Sequence, residues 1–523
     1  MNLIRLATAG CAALCIGAAL PSLASATDYC VAPSDGCVGT KVDSIEEALD
    51  LADDENNPDR VFLGAFVYKP QTLAGFEYLN KDAPVEIIGQ GRDKTILTGE
   101  VAFAVLEVFG GAGTSVHDLT IRLPEDAPAA TTGLWTRNAA RRIRVFEPPL
   151  QTQNYRRGVW LIDGGTLEDS TVDIGTAQDT TGVLLGNGGV SGSGGNTVRN
   201  SSVTGRTGIS AQHGAAIERS RITGLVVGIA STGELTRVSD SLVRLTGGFG
   251  HAVLAETPAI SDSEVDADGL TIVTPTDADI AGATASTANV HDARVTLKNS
   301  VIRGPGSPLK ASASGGGLAT VSAAYSDLSP TGSIAQGNAT IEKSHVTNVG
   351  AAGFNEAPGH EFELFPDSPL IDIGAPDAPQ GTDLGGHARV ADGNGDGIAR
   401  HDIGAFELQP PAAPAPGGGE AADTLAPVIS GLRARSSRVS YRISEKAGVT
   451  VKIQRRLAGR RARFRTLGTV RRSAVEGANR LRLSRRIRSK ARRPGRYRAV
   501  IVAVDAAGNH SARRAAAFRV RAR

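Results

Sequence analysis

Residues 44–53 (SIEEALDLAD) place Ile45, Ala48, Leu49 and Ala52 on one face at helical spacing, with Asp43 or Ser44 as N-cap. This pattern predicts one short amphipathic helix. Elsewhere the hydrophobic pattern is that of strands, at residues 60–67, 85–89 and 95–98. Two segment types then recur. One opens with glycine: Gly158-Val159-Trp160-Leu161, Gly182-Val183-Leu184-Leu185, Gly208-Ile209-Ser210-Ala211 and Gly228-Ile229-Ala230. The other holds a serine between aliphatics, with markers Ser170, Ser201, Ser220, Ser241, Ser263, Ser300 and Ser344. Ser201, Ser220, Ser241 and Ser263 are 19, 21 and 22 residues apart.

A period near 20 with several short strands per period is the pattern of a solenoid whose units bury their apolar faces only by stacking. The spacing suits three short parallel strands per turn, a β-helix, with the marker serines as ladder residues joining coil to coil. Residues 95–350 would give roughly a dozen coils, about 55 Å of rod at about 4.8 Å per coil. The leucine and asparagine spacing of leucine-rich repeats is absent, and a propeller blade needs about 40 residues. After a Pro/Gly/Ala linker at residues 410–419, seven short alternating runs occupy about a hundred residues, the pattern of an immunoglobulin-like or fibronectin-like sandwich.

Composition agrees with an all-β reading. Of 523 residues 63 are glycine and 4% are aromatic, against a helical bundle; 41% are hydrophobic, too many for wholesale disorder. No internal stretch has the roughly 20 apolar residues of a membrane span. The net charge of +2 conceals a division. Of 56 Lys+Arg, 29 lie from Thr424 onward, against 3 of the 54 Asp+Glu, so the last hundred residues carry +26 and the rest −24. Opposite halves of this kind allow self-association as well as anion binding.

Arg5, the apolar residues 6–20, Pro21 and Ala24-Ser25-Ala26 read as a secretory signal peptide cleaved before Thr27. Cys11 and Cys15 do not fit a lipoprotein site. The mature chain keeps Cys30 and Cys37, expected to form a disulfide in an oxidising compartment. The expected organisation is signal peptide 1–26, β-helix cap 27–94, coils 95–350, a C-terminal β-helix segment with an Asp/Gly-rich loop 351–409, linker 410–424 and basic sandwich 425–523.

Residues 44–99, with SIEEAL, RVFLGAFVY and VEIIGQGRDKTILTG, resemble the opening of right-handed parallel β-helix proteins of the pectin-lyase-like superfamily. Val116-His117-Asp118-Leu119-Thr120-Ile121-Arg122 resembles their first full coil. Asp367-Ser368-Pro369-Leu370-Ile371-Asp372-Ile373-Gly374 through Asp402-Ile403-Gly404-Ala405-Phe406-Glu407 is similar to the end of bacterial choice-of-anchor Q and related secreted β-helix proteins. Pro494-Gly495-Arg496-Tyr497-Arg498 and Asp505-Ala506-Ala507-Gly508-Asn509 are similar to Ig-like modules of actinobacterial surface proteins. The resemblance implies a fold that hosts lyases, hydrolases, esterases, adhesins and inert spacers.

β-Helix glycosidases need carboxylates gathered at one spot. The galacturonase-type set of Asn-Thr-Asp, Asp-Asp, Gly-His-Gly and Arg-Ile-Lys is incomplete: Thr276-Asp277 lacks the Asn, His251 lies in Gly-His-Ala, and Arg303 precedes Gly and Pro. His213, His117 and Asp118 read either as polar turn or side-face residues or as acid–base groups in a polysaccharide groove. Asp392, Asn394, Asp396 and Asp402 read either as ligands of a structural calcium or as an Asx turn, since position twelve of the loop is Ile403 rather than a bidentate Glu. In the basic module, Arg455, Arg456, Arg460, Arg461, Arg485, Arg486, Arg492 and Arg493 read either as compositional bias on a solvated surface or as an anchor gripping phosphate or carboxylate polymers. No aromatic set interleaves them, so nucleic acid is not the expected partner.

Two functions follow as expectations. One is a secreted, extracellular or cell-wall associated non-catalytic protein binding polysaccharide or an anionic cell-wall polymer. The other is a β-helix polysaccharide lyase or hydrolase acting on uronate polymers. The missing motifs favour the first.

Overall fold

The computed structural model describes residues 26–523 apart from 34–35, 53–58, 80–81, 126–129, 149–154, 178, 187–193, 259–260, 277–278, 351, 356, 358, 379, 411–424, 458–462, 484–486, 488, 490–492 and 522–523. The expected signal peptide, apart from Ala26, and nearly all of the expected linker lie outside the described residues. Two compact units divide near residue 412.

The first unit is a parallel β-helix of about ten coils. Each coil contributes three strands. Ser115–His117, Thr120–Arg122 and Thr131–Thr136 pair in parallel with Ala139–Arg141, Arg144–Phe146 and Arg156–Leu161 of the next coil. The first strands stack into a 14-stranded sheet; the second and third strands form a 20-stranded one. In Ser202–Ala211 and Arg221–Ser231 the second and third strands fuse. Inward residues stack in register, as in Val116, Ala140, Leu167, Val198, Ile217 and Val238, all buried. The coils number about ten rather than the dozen expected, because loops lengthen many of them.

A one-residue turn separates the first and second strands. Asp118, Arg142, Asp169, Asn200, Arg219, Asp240, Asn299 and Tyr325 take it at φ between 42° and 59°. Left-handed backbone is costly for such residues, Asn and Asp least so. Here it is repaid by a continuous backbone ladder, for example Asn200 N to Glu218 O and Arg219 N to Ser239 O. The residue after the turn carries the predicted serine. Ser220 Oγ accepts the N–H of Ser201 at 3.2 Å and donates to Glu218 O at 2.8 Å, and the same pair of bonds recurs at Ser170, Ser201, Ser300 and Ser326.

Two expected markers are out of register. Ser263 begins its strand and bonds Ser231 O; the turn of that coil is Asp268-Gly269-Leu270. Ser344 pairs with Ala324, two residues before the marker position, which Ser326 fills one coil earlier.

The helix at the rod's N-terminal end is Ile45–Leu51, shorter than expected. Ser44 Oγ accepts the N–H of Glu47, and Glu47 Oε2 accepts that of Asp43. Ile45, Ala48 and Leu49 are buried against the rod interior. Cys30 and Cys37 are bridged, with Cα atoms 5.9 Å apart. Among the described residues no helix is long and apolar enough to cross a membrane.

The described residues between 352 and 409 form little regular structure and clamp the rod's flank over the turns at Asp240, Gly269 and Asn299. Ala375 N donates to Asn299 Oδ1 at 2.6 Å, Gly404 N to Asn299 O at 2.8 Å, and Ala405 N to Thr271 Oγ1 at 2.9 Å. The guanidinium of Arg389 fills the space beside Gly269. A Cβ at Gly269 would lie 2.7 Å from Arg389 Nη2, which accounts for glycine where other coils place Asp, Asn, Arg or Tyr.

The second unit is a β-sandwich. A three-stranded antiparallel sheet (Ile429–Ala434, Arg438–Ile443, Gly477–Arg482) packs its inner face with that of a four-stranded one (Ala447–Arg456, Phe464–Ala474, Gly495–Val504, Arg514–Val520). Val439, Tyr441 and Ile443 meet Val451, Ile453 and Ile501 in its core.

Candidate functional site

The sequence candidates do not converge. His117 ends a first strand and Asp118 forms the turn after it. His117 Nε2 lies 2.9 Å from Glu86 Oε1 and Nδ1 lies 2.8 Å from Asp118 Oδ2. Arg142 from the next coil grips Asp118 with Nε at 2.8 Å and Nη2 at 2.6 Å. Hydrogen bonding from Arg142, helped by His117, holds the Asp118 carboxyl down at about 2, so it stays ionised and serves as a brace. His213 sits several coils away in the turn after Ser202–Ala211, 4.0 Å from Glu234. His117 thus lies between two carboxylates, Glu86 and Asp118, but among the described residues none of these groups reaches His213, so the candidates form no shared site.

Parallel register instead assembles a different set on the outward face of the third strands. Phe76–Tyr78, Ala104–Val108, Thr131–Thr136, Arg156–Leu161 and Thr180–Leu185 stack so that Glu77, Glu107, Trp135, Trp160 and Leu184 form one column. Trp135 and Trp160 stack at 4.7 Å and 14° between rings, the separation the coil rise imposes. Phe103 and Phe109 meet Trp135 edge-on at 5.1 and 4.8 Å. Arg157 lies 4.7 Å over the Trp160 ring and 4.8 Å over Tyr155. Trp160 Nε1 donates to Gly186 O at 2.7 Å, which fixes its ring.

Glu107 closes the aromatic ladder. Burial, then the charge of Glu77, pushes its carboxyl up to about 7. It is thus a carboxylic acid poised near neutrality beside Trp135 of the next coil. Farther along the same column come Ser210, Ala230, Leu254, Thr284 and Lys310. There His251 Nδ1 lies 2.8 Å from Thr284 Oγ1, and burial together with Lys310 holds the imidazole down at about 4, neutral at physiological pH. The half-buried Trp135, Trp160 and Arg157 on one face can pack against sugar C–H groups and bind hydroxyls or carboxylates at the ring edges, with Glu107 buried at their end.

Of this set, sequence reasoning isolated none. A signal was present: the chain has only two tryptophans, in Gly133-Leu134-Trp135 and Gly158-Val159-Trp160, the same position of the repeat.

The four-residue calcium set is not gathered. Asp392 accepts the N–H groups of Gly395, Asp396 and Gly397, Asn394 accepts that of Asp396, and Asp396 accepts that of Ile398. Asp402 is fully buried and turned away from this turn, accepting from Asp372 N and Leu408 N. Among the described residues no three His, Cys, Asp or Glu side chains are placed to hold a metal. In the sandwich, Arg455 donates to Pro494 O at 3.1 Å, and Arg493 O accepts from Tyr497 Oη at 2.6 Å. Arg456 ends its strand opposite Phe464. Arg460, Arg461, Arg485, Arg486 and Arg492 lie outside the described residues.

No family model matches the chain, and no curated protein matches it. Solved structures similar to it include the pectate lyase Pel9A, at TM-score 0.44 and 12% identity, covering 74% of this chain and 97% of that one. The A-module of the Azotobacter vinelandii mannuronan C-5 epimerase AlgE4 gives 0.31 and 14%, covering 61% and 97%. Pectin methylesterase from carrot gives 0.26 and 14%, covering 66% and 89%. The parallel β-helix of this chain is established by its own strand register.

Proposed function

We propose that the protein is a secreted, non-catalytic cell-surface or matrix protein that binds polysaccharide along the rod and an anionic cell-wall polymer through its basic module. In this reading residues 351–409 are the C-terminal segment of a choice-of-anchor Q type protein, and the sandwich is an Ig-like anchoring module. The observation that carries it is the Trp135–Trp160 stack, capped by Arg157 and flanked by Glu107 on an outward face. W160A and R157A should each weaken binding of polygalacturonate or alginate to the full chain by about tenfold or more, about 1.4 kcal/mol, measured calorimetrically below the melting temperature. Wild-type affinity in both variants would remove the rod from the binding reading.

Glu107 favours the enzymatic alternative, since a carboxyl near 7 suits general acid–base work. Release of unsaturated or reducing-end products from uronate polymers by the wild type, lost in E107Q, would establish it.

Calcium keeps a place in the proposal as a structural ion on the Asp392–Asn394–Asp396 turn, without Asp402. Adding Ca²⁺ to chelator-treated protein should then raise the melting temperature by a few degrees, about 1 kcal/mol. No shift would leave an Asx turn.

A further inference from the structure

Among the described residues, the sandwich carries one sheet face whose only charges are arginines. In its three-stranded sheet Val439, Tyr441, Ile443 and Leu481 point into the core. Antiparallel register lays the alternate residues in rows on the outer face. Arg438 stands opposite Arg482, Arg433 and Arg480 flank Ser440, and Arg442 lies between Ser430 and Ala478. All five arginines are exposed, and among the described residues none of them makes an ion pair. From Thr424 onward the acids are Glu445, Glu476 and Asp505, and Asp505 is bonded within its own turn. Like charges directly across a ladder cost stability. The outer face of the four-stranded sheet is mixed: Arg498 there donates to Gln454 Oε1 and lies 3.6 Å over the Phe464 ring.

We propose that this arginine face docks a linear phosphodiester polymer. Its rows follow one another at about 6.8 Å, twice the antiparallel rise per residue. A polymer with six backbone bonds between phosphates, as in poly(glycerol phosphate), spans about 7 Å per repeat when extended, the reach of two residues of polypeptide. Such a chain running along the strands meets at least one guanidinium per phosphate over three rows. The guanidinium fork matches phosphate oxygens two at a time. Among the described residues no aromatic side chain lies on this face, so the bases of a nucleic acid find no stacking platform there. The inference rests on the anchor reading above and gives the anchor a specific face and ligand class.

The probe is poly(glycerol phosphate) against the full-length protein at low salt, with polygalacturonate and single-stranded DNA as comparisons. R438A/R442A/R480A/R482A should weaken binding about tenfold or more and flatten its salt dependence. The corresponding four lysine substitutions, which keep the charge without the fork, should restore binding only in part. K452A/R496A/R519A removes exposed charge from the other sheet and should cost less than about threefold. Equal losses in the two alanine sets would overturn the proposal, since net charge alone would then explain binding. Unchanged binding in the fourfold alanine variant, or wild-type preference for polygalacturonate or DNA over the phosphodiester polymer, would overturn it as well. So would loss of low-salt self-association without loss of polymer binding, because the occupant would then be the acidic rod of a second copy. Polygalacturonate binding that depends on Trp160 and not on these arginines keeps the rod reading separable from this one.

Discussion

Replacing Arg389 by methionine should cost the first unit about 3–5 kcal/mol, because it strands buried carboxylates without their cation. Arg389 is 1% exposed. It pairs with Asp240 across the clamp at 3.1 Å and with Glu407 within it at 3.5 Å, and donates to Gly404 O. Asp402 and Glu407 crowd the same interior, with Asp402 N donating to Glu407 Oε2 at 2.9 Å. Burial outweighs the guanidinium's attraction and pushes these acids up, Asp240 to about 6, Asp402 to about 7 and Glu407 to about 8. The last two titrate as a pair.

Folded values above the unfolded ones mean that the native clamp holds protons which the unfolded chain releases. That contribution is complete below about pH 4 and is lost as pH rises through about 6 to 8. Thermal unfolding of the wild type should therefore show a more stable clamp near pH 5 than near pH 8.5, roughly the two sides of that window. The deficit of R389M should widen over the same interval, and E407Q in the R389M background should recover part of it. Hydrogen exchange over residues 370–407 locates the effect. A pH-independent deficit in R389M would show that lost packing, not charge, is responsible.

Gly182→Val should cost about 3 kcal/mol or more through overpacking at mid-rod. A Cβ at Gly182 would lie 2.5 Å from Val203 Cγ1 and 2.6 Å from Gly208 O, and Gly158 and Gly208 face the carbonyls of Gly182 and Gly228 at 2.6 Å in the same way. The glycines mark a line where the third strand passes close to the second-strand side chains and the backbone of the next coil. Ala252 takes the equivalent place in a later coil and is buried, so a methyl group can be accommodated there. A branched side chain adds atoms with no room to either side. Because each coil contacts only its neighbours, the lost stability should appear as local opening around residues 180–211 before global unfolding. Wild-type exchange protection there would show that the coils can separate without penalty.

Much of the fold was legible because its determinants are local. Ser170, Ser201, Ser220, Ser241 and Ser300 mark the corner of the coil, since the residue before each takes a left-handed turn and the hydroxyl then accepts an N–H from the preceding coil while donating to a carbonyl of its own. The recurring glycine of the third strands, at Gly158, Gly182, Gly208 and Gly228, was visible for an equally local steric reason. The reading slipped at Ser263, where a tertiary neighbour had changed the marker. Arg389, over a hundred residues away, occupies the space a side chain at the turn would need, so the coil turns on Gly269, and the marker position after it holds Leu270.

The amino-acid pattern alone determined a parallel solenoid followed by a basic β-sandwich, because period, alternation and charge are carried by neighbours in sequence. It could not determine which outward residues share a column, since loops of unequal length separate Glu77, Glu107, Trp135 and Trp160. Only the hydrogen-bonded register of stacked strands brings those four together, sets the arginines of the second unit in rows, and turns Asp402 from a presumed loop ligand into a buried partner of Glu407. The physical reason is that side-chain proximity in a sheet is set by pairing across coils, which spacing along the chain does not record.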